Sequence, residues 1–299
     1  MPASLYDLHV HTCFSDGRYK PEQVMQEAKR LGLSAIAFTD HDLVRGFMDA
    51  QFNFQPGYPE LIPGIEISTL WDVGGARQEV DLLGYYIDPF HTSILEYEKI
   101  AAEDMRAFSK KCCDGLTSLG MGVTFQDVAA RFPHGLGPIS IAQTLLQKGY
   151  LGDWDQAVRQ VLSFWETSLF RRLSIAAAIA MIHKAGGVAV LAHPALISCG
   201  DGWLQEEEIA CLVKCGLDGL EVYHPRMNET SRRYFSDLAH RFNLLVTGGS
   251  DLHGWFEDFS ILASQPVTTE MLAALRERAA HRHQMPGYAT RRLRKRRYG

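Results

Sequence analysis

The stretch DLHVHTCFSDG, residues 7–17, sets imidazoles at His9 and His11 and a carboxylate at Asp16, just before Gly17. In a strand, residues i and i+2 point to the same face, so His9 and His11 aim one way. Asp251 and His253 repeat that spacing near the other end of the chain. Similar groups stand at or near the ends of other short apolar runs: Asp40, His41 and Asp42, then Glu66, Asp81, His193, Glu221 and His224. Imidazole nitrogen with carboxylate oxygen suits Zn²⁺, Mn²⁺ or Fe²⁺ better than Mg²⁺, which prefers oxygen and water. No thiolate joins the set except Cys13, which argues against a structural cysteine-zinc site. Each short motif is weak alone. Their recurrence on successive strand ends carries the signal. His91, His134, His183, His240, His281 and His283 fall outside the pattern and are assigned to surface or packing roles.

Such groups meet only if the elements carrying them converge. YDLHVHT, SAIAFTDH, LIPGIEIST, EVDLLGYYID, AGGVAVLAHP, GLDGLEVYHP and FNLLVTGGSD read as strands. KPEQVMQEAKRLGL reads as a helix, with Pro21 near its start and Gly32 near its end. Alternation of strand and helix predicts parallel pairing with crossover helices. In a parallel barrel the carboxyl ends of the strands meet on one face, where active sites form.

Between His91 and about Phe170 the rhythm changes to helical patterns with no buried β run. This predicts an all-helical insertion at 92–170, between a first barrel part at 1–91 and a second at 171–285. LSIAAAIAMIHKAGG resumes the barrel, with Ser174 as its N-cap and Gly186 and Gly187 at its close.

DLHVHTCFSDG, AFTDHD, PGIEIS, VLAHP and TGGSDLHG, in this order, resemble the polymerase and histidinol phosphatase (PHP) superfamily over roughly residues 5 to 260. Within it the chain is similar to bacterial small-phosphoester hydrolases, among them nucleoside 3′,5′-bisphosphate phosphatases and 5′-to-3′ exoribonucleases. The resemblance implies an α/β fold: a distorted seven-stranded (βα) TIM-like barrel with a helical insertion over its mouth. It implies two or three divalent ions, Mn, Zn or Fe. One would be held by His9, His11, Glu66 and Asp251; a second by Asp16, His41 and His253; a third by Glu66, His193 and Asp81. Relatives usually carry histidine where Asp81 stands. They also often carry Arg-Pro-His-Ile-Ala where this chain has Pro138-Ile139-Ser140-Ile141-Ala142. Without that arginine and histidine, Arg171, Arg172, His224 and Arg226 are the candidates to hold a substrate phosphate.

The function implied is hydrolysis of a phosphate ester of a small nucleotide or phosphorylated sugar. The substrate would be a nucleoside bisphosphate, a small cyclic phosphate or an RNA 5′ end. The ions would activate water for attack on phosphorus, with His193 and His224 as candidates to protonate the leaving group. Asp40 and Asp42 flank His41 and are candidates to orient it. A histidinol-phosphate phosphatase is the alternative enzyme. A catalytically degenerate metal-binding regulatory module is the alternative of another class, resting on Asp81.

Bulk properties fit this frame. The chain has 299 residues, 46% apolar and 22% charged, as a globular protein with a large core requires. No leader pattern and no long apolar run is visible, which predicts a cytoplasmic protein without membrane contact. The six cysteines form no Cys-x-x-Cys pair, so free thiols are expected. Arg291, Arg292, Arg294, Lys295, Arg296 and Arg297 form a basic tail at 286–299; without them 24 basic face 35 acidic residues, a body charge of −11. Such a tail is a candidate RNA contact. Oligomeric state is left open.

Overall fold

The computed structural model describes residues 5–165, 168–200 and 202–283. The basic tail lies outside them. Strand β1 (Leu5–Val10) leads to α1 (Pro21–Leu31), β2 (Leu33–Phe38), α2 (Arg45–Phe52), β3 (Glu60–Val73) and β4 (Ala76–Tyr85). Helices α3 (Thr92–Ser118), α4 (Phe125–Arg131), α5 (Pro138–Gln147) and α6 (Trp154–Leu162) follow in succession. The chain continues through β5 (Leu173–Ser174), α7 (Ile175–Lys184), β6 (Val188–Leu191), α8 (Glu206–Lys214), β7 (Gly219–Tyr223), α9 (Glu229–Arg241), β8 (Leu245–Gly248) and α10 (Thr269–His283).

Local chemistry sets these bounds. Pro21 opens α1, where a missing N–H costs nothing, and Gly32 stops it in a left-handed conformation at φ 78°. Ser174 caps α7 by accepting from Ala177 N. Strand β2, with Ala35, Ile36, Ala37 and Phe38 all buried, lies between covered faces.

The sheet runs β1-β2-β3-β4-β6-β7-β8, with β5 pairing onto β3, so a seven-stranded path carries one two-residue addition. Past β8, Asp251 N donates to His9 O at 2.8 Å and His11 N to Leu252 O at 3.0 Å. Val10 and Leu252 form a parallel bridge there. The two edges of the sheet thus meet, and the α/β barrel-like fold expected from the sequence is the one observed. Buried Asp7 reinforces the seam: its carboxylate accepts from Ser250 N and Ala263 N, both at 2.9 Å.

One expectation needs correction. The pairing is not parallel throughout: β3/β4 and β4/β6 are antiparallel, while β1/β2, β2/β3, β6/β7 and β7/β8 are parallel. The cause is the turn Gly74-Gly75, at φ 62° and 81°, which closes a two-residue hairpin between Val73 and Ala76. Two consecutive left-handed residues match the twist of such a hairpin, and glycine adopts them without a Cβ clash. Asp81 consequently lies inside β4, opposite Ser68, rather than at the carboxyl end of a parallel strand.

The helical stretch α3 to α6 carries its own apolar cluster, including Phe108, Cys112, Leu116, Ile141, Leu145 and Val161. The six cysteines are free. Among the described residues no helix is long and apolar enough to cross a membrane.

Candidate metal centre

The ends of β1 and β2, the middle of β3 and β4, and the turns after β6, β7 and β8 face one hollow. There His9 Nε2 lies 3.1 Å from His11 Nε2, 3.2 Å from Glu66 Oε2 and 3.4 Å from Asp251 Oδ1. His11 Nε2 stands 3.2 Å from the same two carboxylate oxygens. His9, His11 and Asp251 form one candidate cluster, and Glu66 Oε2 approaches its two imidazoles from one side. Bonds of 2.0–2.2 Å from a central ion would place tetrahedral ligand atoms about 3.4 Å apart, so the His9, His11 and Asp251 atoms, 3.1–3.4 Å apart, suit a divalent cation.

A second group adjoins it. Asp16 Oδ2 lies 3.3 Å from His253 Nε2 and 3.9 Å from His41 Nε2, and Asp16 Oδ1 lies 3.5 Å from His11 Nδ1. His41, Glu66 and Asp81 form a third cluster. His193 Nε2 reaches the same acids, 3.2 Å from Glu66 Oε1 and 3.8 Å from Asp81 Oδ2. The ring nitrogens His11 Nδ1, His41 Nδ1 and His193 Nδ1 are buried without a hydrogen-bond partner. Buried polar atoms are ordinarily satisfied, so such orphans fit a site built for cations.

Electrostatics agree. Burial pushes Glu66 and Asp251 up, but His9 and neighbouring imidazoles outweigh it and hold both well below the usual carboxylate range. Burial pushes His41 and His253 down; Glu66 and Asp16 lift His41 to about 9, and Asp16 and Asp251 lift His253 to about 10. Burial and then Glu66 raise Asp81. A pocket that favours protonated imidazoles so strongly has a negative field, which also draws metal ions.

Outer contacts orient the donors. Glu221 accepts from His9 Nδ1 at 2.9 Å and from His193 N at 2.9 Å. His253 Nδ1 donates to Asp251 O at 2.9 Å, which turns its Nε2 toward Asp16. Glu257 pins that turn through His253 N at 2.7 Å and Gly254 N at 2.6 Å. Asp40 accepts from Thr12 N at 2.7 Å and Ser15 Oγ at 2.7 Å, fixing the loop that bears Asp16. Sequence reasoning placed Glu221 among the strand-end acids but gave it no role, and it missed Glu257. A lone carboxylate inside the apolar strand run GLEVY, on the face opposite Leu220 and Val222, was the available signal for the first.

The remaining site candidates divide. His224 is buried; its Nδ1 accepts from Arg226 N at 3.2 Å, so its Nε2 donates to Asp251 Oδ2 at 3.1 Å. Arg172 Nη1 lies 2.5 Å from Asp42 Oδ2, and its guanidinium sits 4.9 Å over the Phe170 ring. Asp42 also accepts from Ser68 N at 2.9 Å and from the Tyr97 hydroxyl. It therefore ties β3, the start of α3 and the segment after α6 to one point beside His41. Arg171 turns away, to Asp104 and Glu103. Arg226 is exposed.

A cavity of about 580 Å³ opens from this cluster toward the helical stretch. Asp16, His41 and Asp81 line one side, and Arg106, His134 and Arg172 belong to the remainder. Of the four phosphate-contact candidates, Arg172 alone is among the lining residues. The volume suits a small organic ligand.

Comparison with known proteins agrees with this geometry. The PHP domain family model matches residues 7–123. A phosphoribosyl 1,2-cyclic phosphate 1,2-diphosphodiesterase of Eggerthella lenta is 30% identical over 261 residues, covering 84% of this chain and 94% of its own. A 5′-3′ exoribonuclease of Haemophilus influenzae is 29% identical over 260 residues, covering 84% and 92%. A solved structure described as a metal-dependent phosphoesterase, from Bifidobacterium adolescentis, superimposes with a TM-score of 0.81 at 29% identity, covering 93% of this chain and 97% of that one. Fold and site together define a metal-dependent phosphoric ester hydrolase. The chain belongs to the PHP domain family.

Proposed function

We propose that the chain hydrolyses a phosphate ester of a small nucleotide or phosphorylated sugar, using two or three divalent ions of Mn, Zn or Fe. His9, His11, Glu66 and Asp251 would hold one ion; Asp16, His41 and His253 a second; Glu66, Asp81 and His193 a third. The observation that carries this reading is the cluster of His9, His11 and Asp251 atoms 3.1–3.4 Å apart, beside Asp16, His41 and Asp81, which line the cavity. When bound, such ions supply Lewis acidity, lowering the pKa of water and offsetting charge on phosphoryl oxygens.

The chain's own groups do the rest. Glu221 and His224 orient His9 and Asp251, so His224 is a positioning residue in this reading and not a proton donor. Arg172, held by Asp42, presents a planar cation to a phosphate in the cavity. The apolar part of the cavity wall lowers the local dielectric and strengthens each of these interactions. The regulatory-module reading rested on Asp81, which sits among the donors, so nothing in the site favours it.

The names of the two relatives give a cyclic ribose phosphate and an oligoribonucleotide for the substrate panel, and the family resemblance adds a nucleoside 3′,5′-bisphosphate. Purified protein loaded with Mn²⁺ is incubated with each, alongside nucleoside monophosphates, and released phosphate or alcohol is measured. Turnover of at least one small ester is expected. No turnover of any, by protein shown to contain metal, overturns the reading.

A further inference from the structure

An alkoxide leaves phosphorus slowly unless a proton reaches its oxygen as the bond breaks. The histidines of the cluster are poorly placed to supply one. His224 has both ring nitrogens engaged, and His193 Nε2 faces Glu66 and Asp81. His9, His11 and His41 turn nitrogens toward Glu66, and His253 toward Asp16. Around the cavity, Asp42 and Glu79 face Arg172, and Arg45 faces Glu98. Arg106 lies 4.7 Å from the Phe125 ring, and an arginine holds its proton too tightly to donate it.

His134 is different. It lies on the loop between α4 and α5, is exposed, and lines the cavity together with Asp16, His41 and Asp81. Its ring stacks on Phe14 at 4.7 Å and 29°, and among the described residues it has no side-chain hydrogen bond or ion pair. Its loop is seated firmly. A Cβ on the neighbouring Gly135 would stand 2.3 Å from Ser15 O and 2.9 Å from Cys13 O, so only glycine permits this approach. The loop bearing His134 thus rests on the loop bearing Asp16.

We propose that His134 is the catalytic acid that protonates the leaving-group oxygen. This rests on the phosphoesterase reading above. Water adds through its oxygen to phosphorus and releases one proton to the site. The ester P–O bond breaks with its electron pair on the departing oxygen, which takes the His134 proton. The proton released from water restores the imidazolium. Nothing is oxidised or reduced.

Leaving-group dependence is the test. An alkyl ester needs the proton, whereas p-nitrophenolate departs as a stable anion. His134→Ala and His134→Gln are compared with wild type on p-nitrophenyl phosphate and on the best alkyl phosphate of the substrate panel, all with Mn²⁺ bound and metal content measured. The ratio of aryl to alkyl kcat is expected to rise about 10²-fold in both variants, at the low end of the contribution of a general acid. Free imidazole is expected to restore part of the alkyl rate to His134→Ala. A merely structural role lowers both rates together and leaves the ratio unchanged, which overturns the proposal while the phosphoesterase reading stands. A metal-loaded wild type inactive on both esters overturns both.

Discussion

Glu221 Oε1 accepts a hydrogen bond from His9 Nδ1 at 2.9 Å, with both side chains fully buried. The contact fixes a proton on His9 Nδ1 and turns Nε2 toward Glu66 and Asp251. A carboxylate behind an imidazole in this way raises its basicity as a ligand.

Replacing that carboxylate with an amide keeps the shape and removes the charge. Glu221→Gln is expected to weaken metal binding about 10- to 100-fold, as loss of such outer contacts does. Competition against a graded chelator measures it. Affinity equal to wild type would show that the contact does not tune the ion.

Asp81 shares a cluster with His41 and Glu66, and burial with the nearby Glu66 raises its pKa. An ion between the two acids would relieve their repulsion. Asp81→Asn is expected to lose one bound ion per chain, and Asp81→His to keep it, by elemental analysis after dialysis. Equal metal content in all three proteins would remove position 81 from the donor set.

Gly135 tests the loop seat. Gly135→Ala drives a methyl group into Ser15 O and Cys13 O. Overpacking of this kind costs about 1–3 kcal/mol, to be read in urea unfolding, and kcat is expected to fall with it because the loop moves. A variant of wild-type stability and rate would mean that the two loops separate freely.

A prediction about pH concerns the opposite end of the barrel. Buried Asp218 accepts from His183 Nε2 at 2.9 Å, Ala189 N at 3.0 Å, Arg278 Nη1 at 2.9 Å and Arg282 Nη2 at 2.5 Å. Burial pushes its pKa up; His183, the Ala189 N–H and Arg282 outweigh burial and hold it at about 2. A depressed carboxyl pKa stabilises the fold above the ordinary value near 3.8, and that contribution disappears as pH falls toward 2. Its size is about 2 kcal/mol. The stability gap between wild type and Asp218→Asn, from urea unfolding at pH 6, 4 and 3, is expected to shrink as pH drops. A gap independent of pH would show that the ionised carboxyl contributes nothing.

Much of this site is legible in the sequence because strand periodicity forces it. His9 with His11, and Asp251 with His253, share a face by spacing alone. What spacing does not reveal is direction. The alternation of strands and helices argued for parallel neighbours throughout, while Val73-Gly74-Gly75-Ala76 carried a hairpin signal that outweighs it locally. Asp81 therefore enters the pocket from inside an antiparallel strand. Partner choice was also invisible. Arg171 and Arg172 are adjacent in sequence, yet one faces Asp104 and the other Asp42. Asp42 itself has a left-handed backbone at φ 58°, which no composition rule foretells.

The seam between β1 and the turn after β8 has a consequence for biosynthesis. Ser250 N meets Asp7 Oδ1 across 243 positions of chain, and His9 and His11 wait for Asp251 across a gap nearly as long. Contacts so distant form late, after shorter-range structure has condensed. His9 and His11 can meet Glu66 soon after β3 emerges, but a product terminated before Asp251 lacks two of the candidate donors, Asp251 and His253, and leaves the seam open.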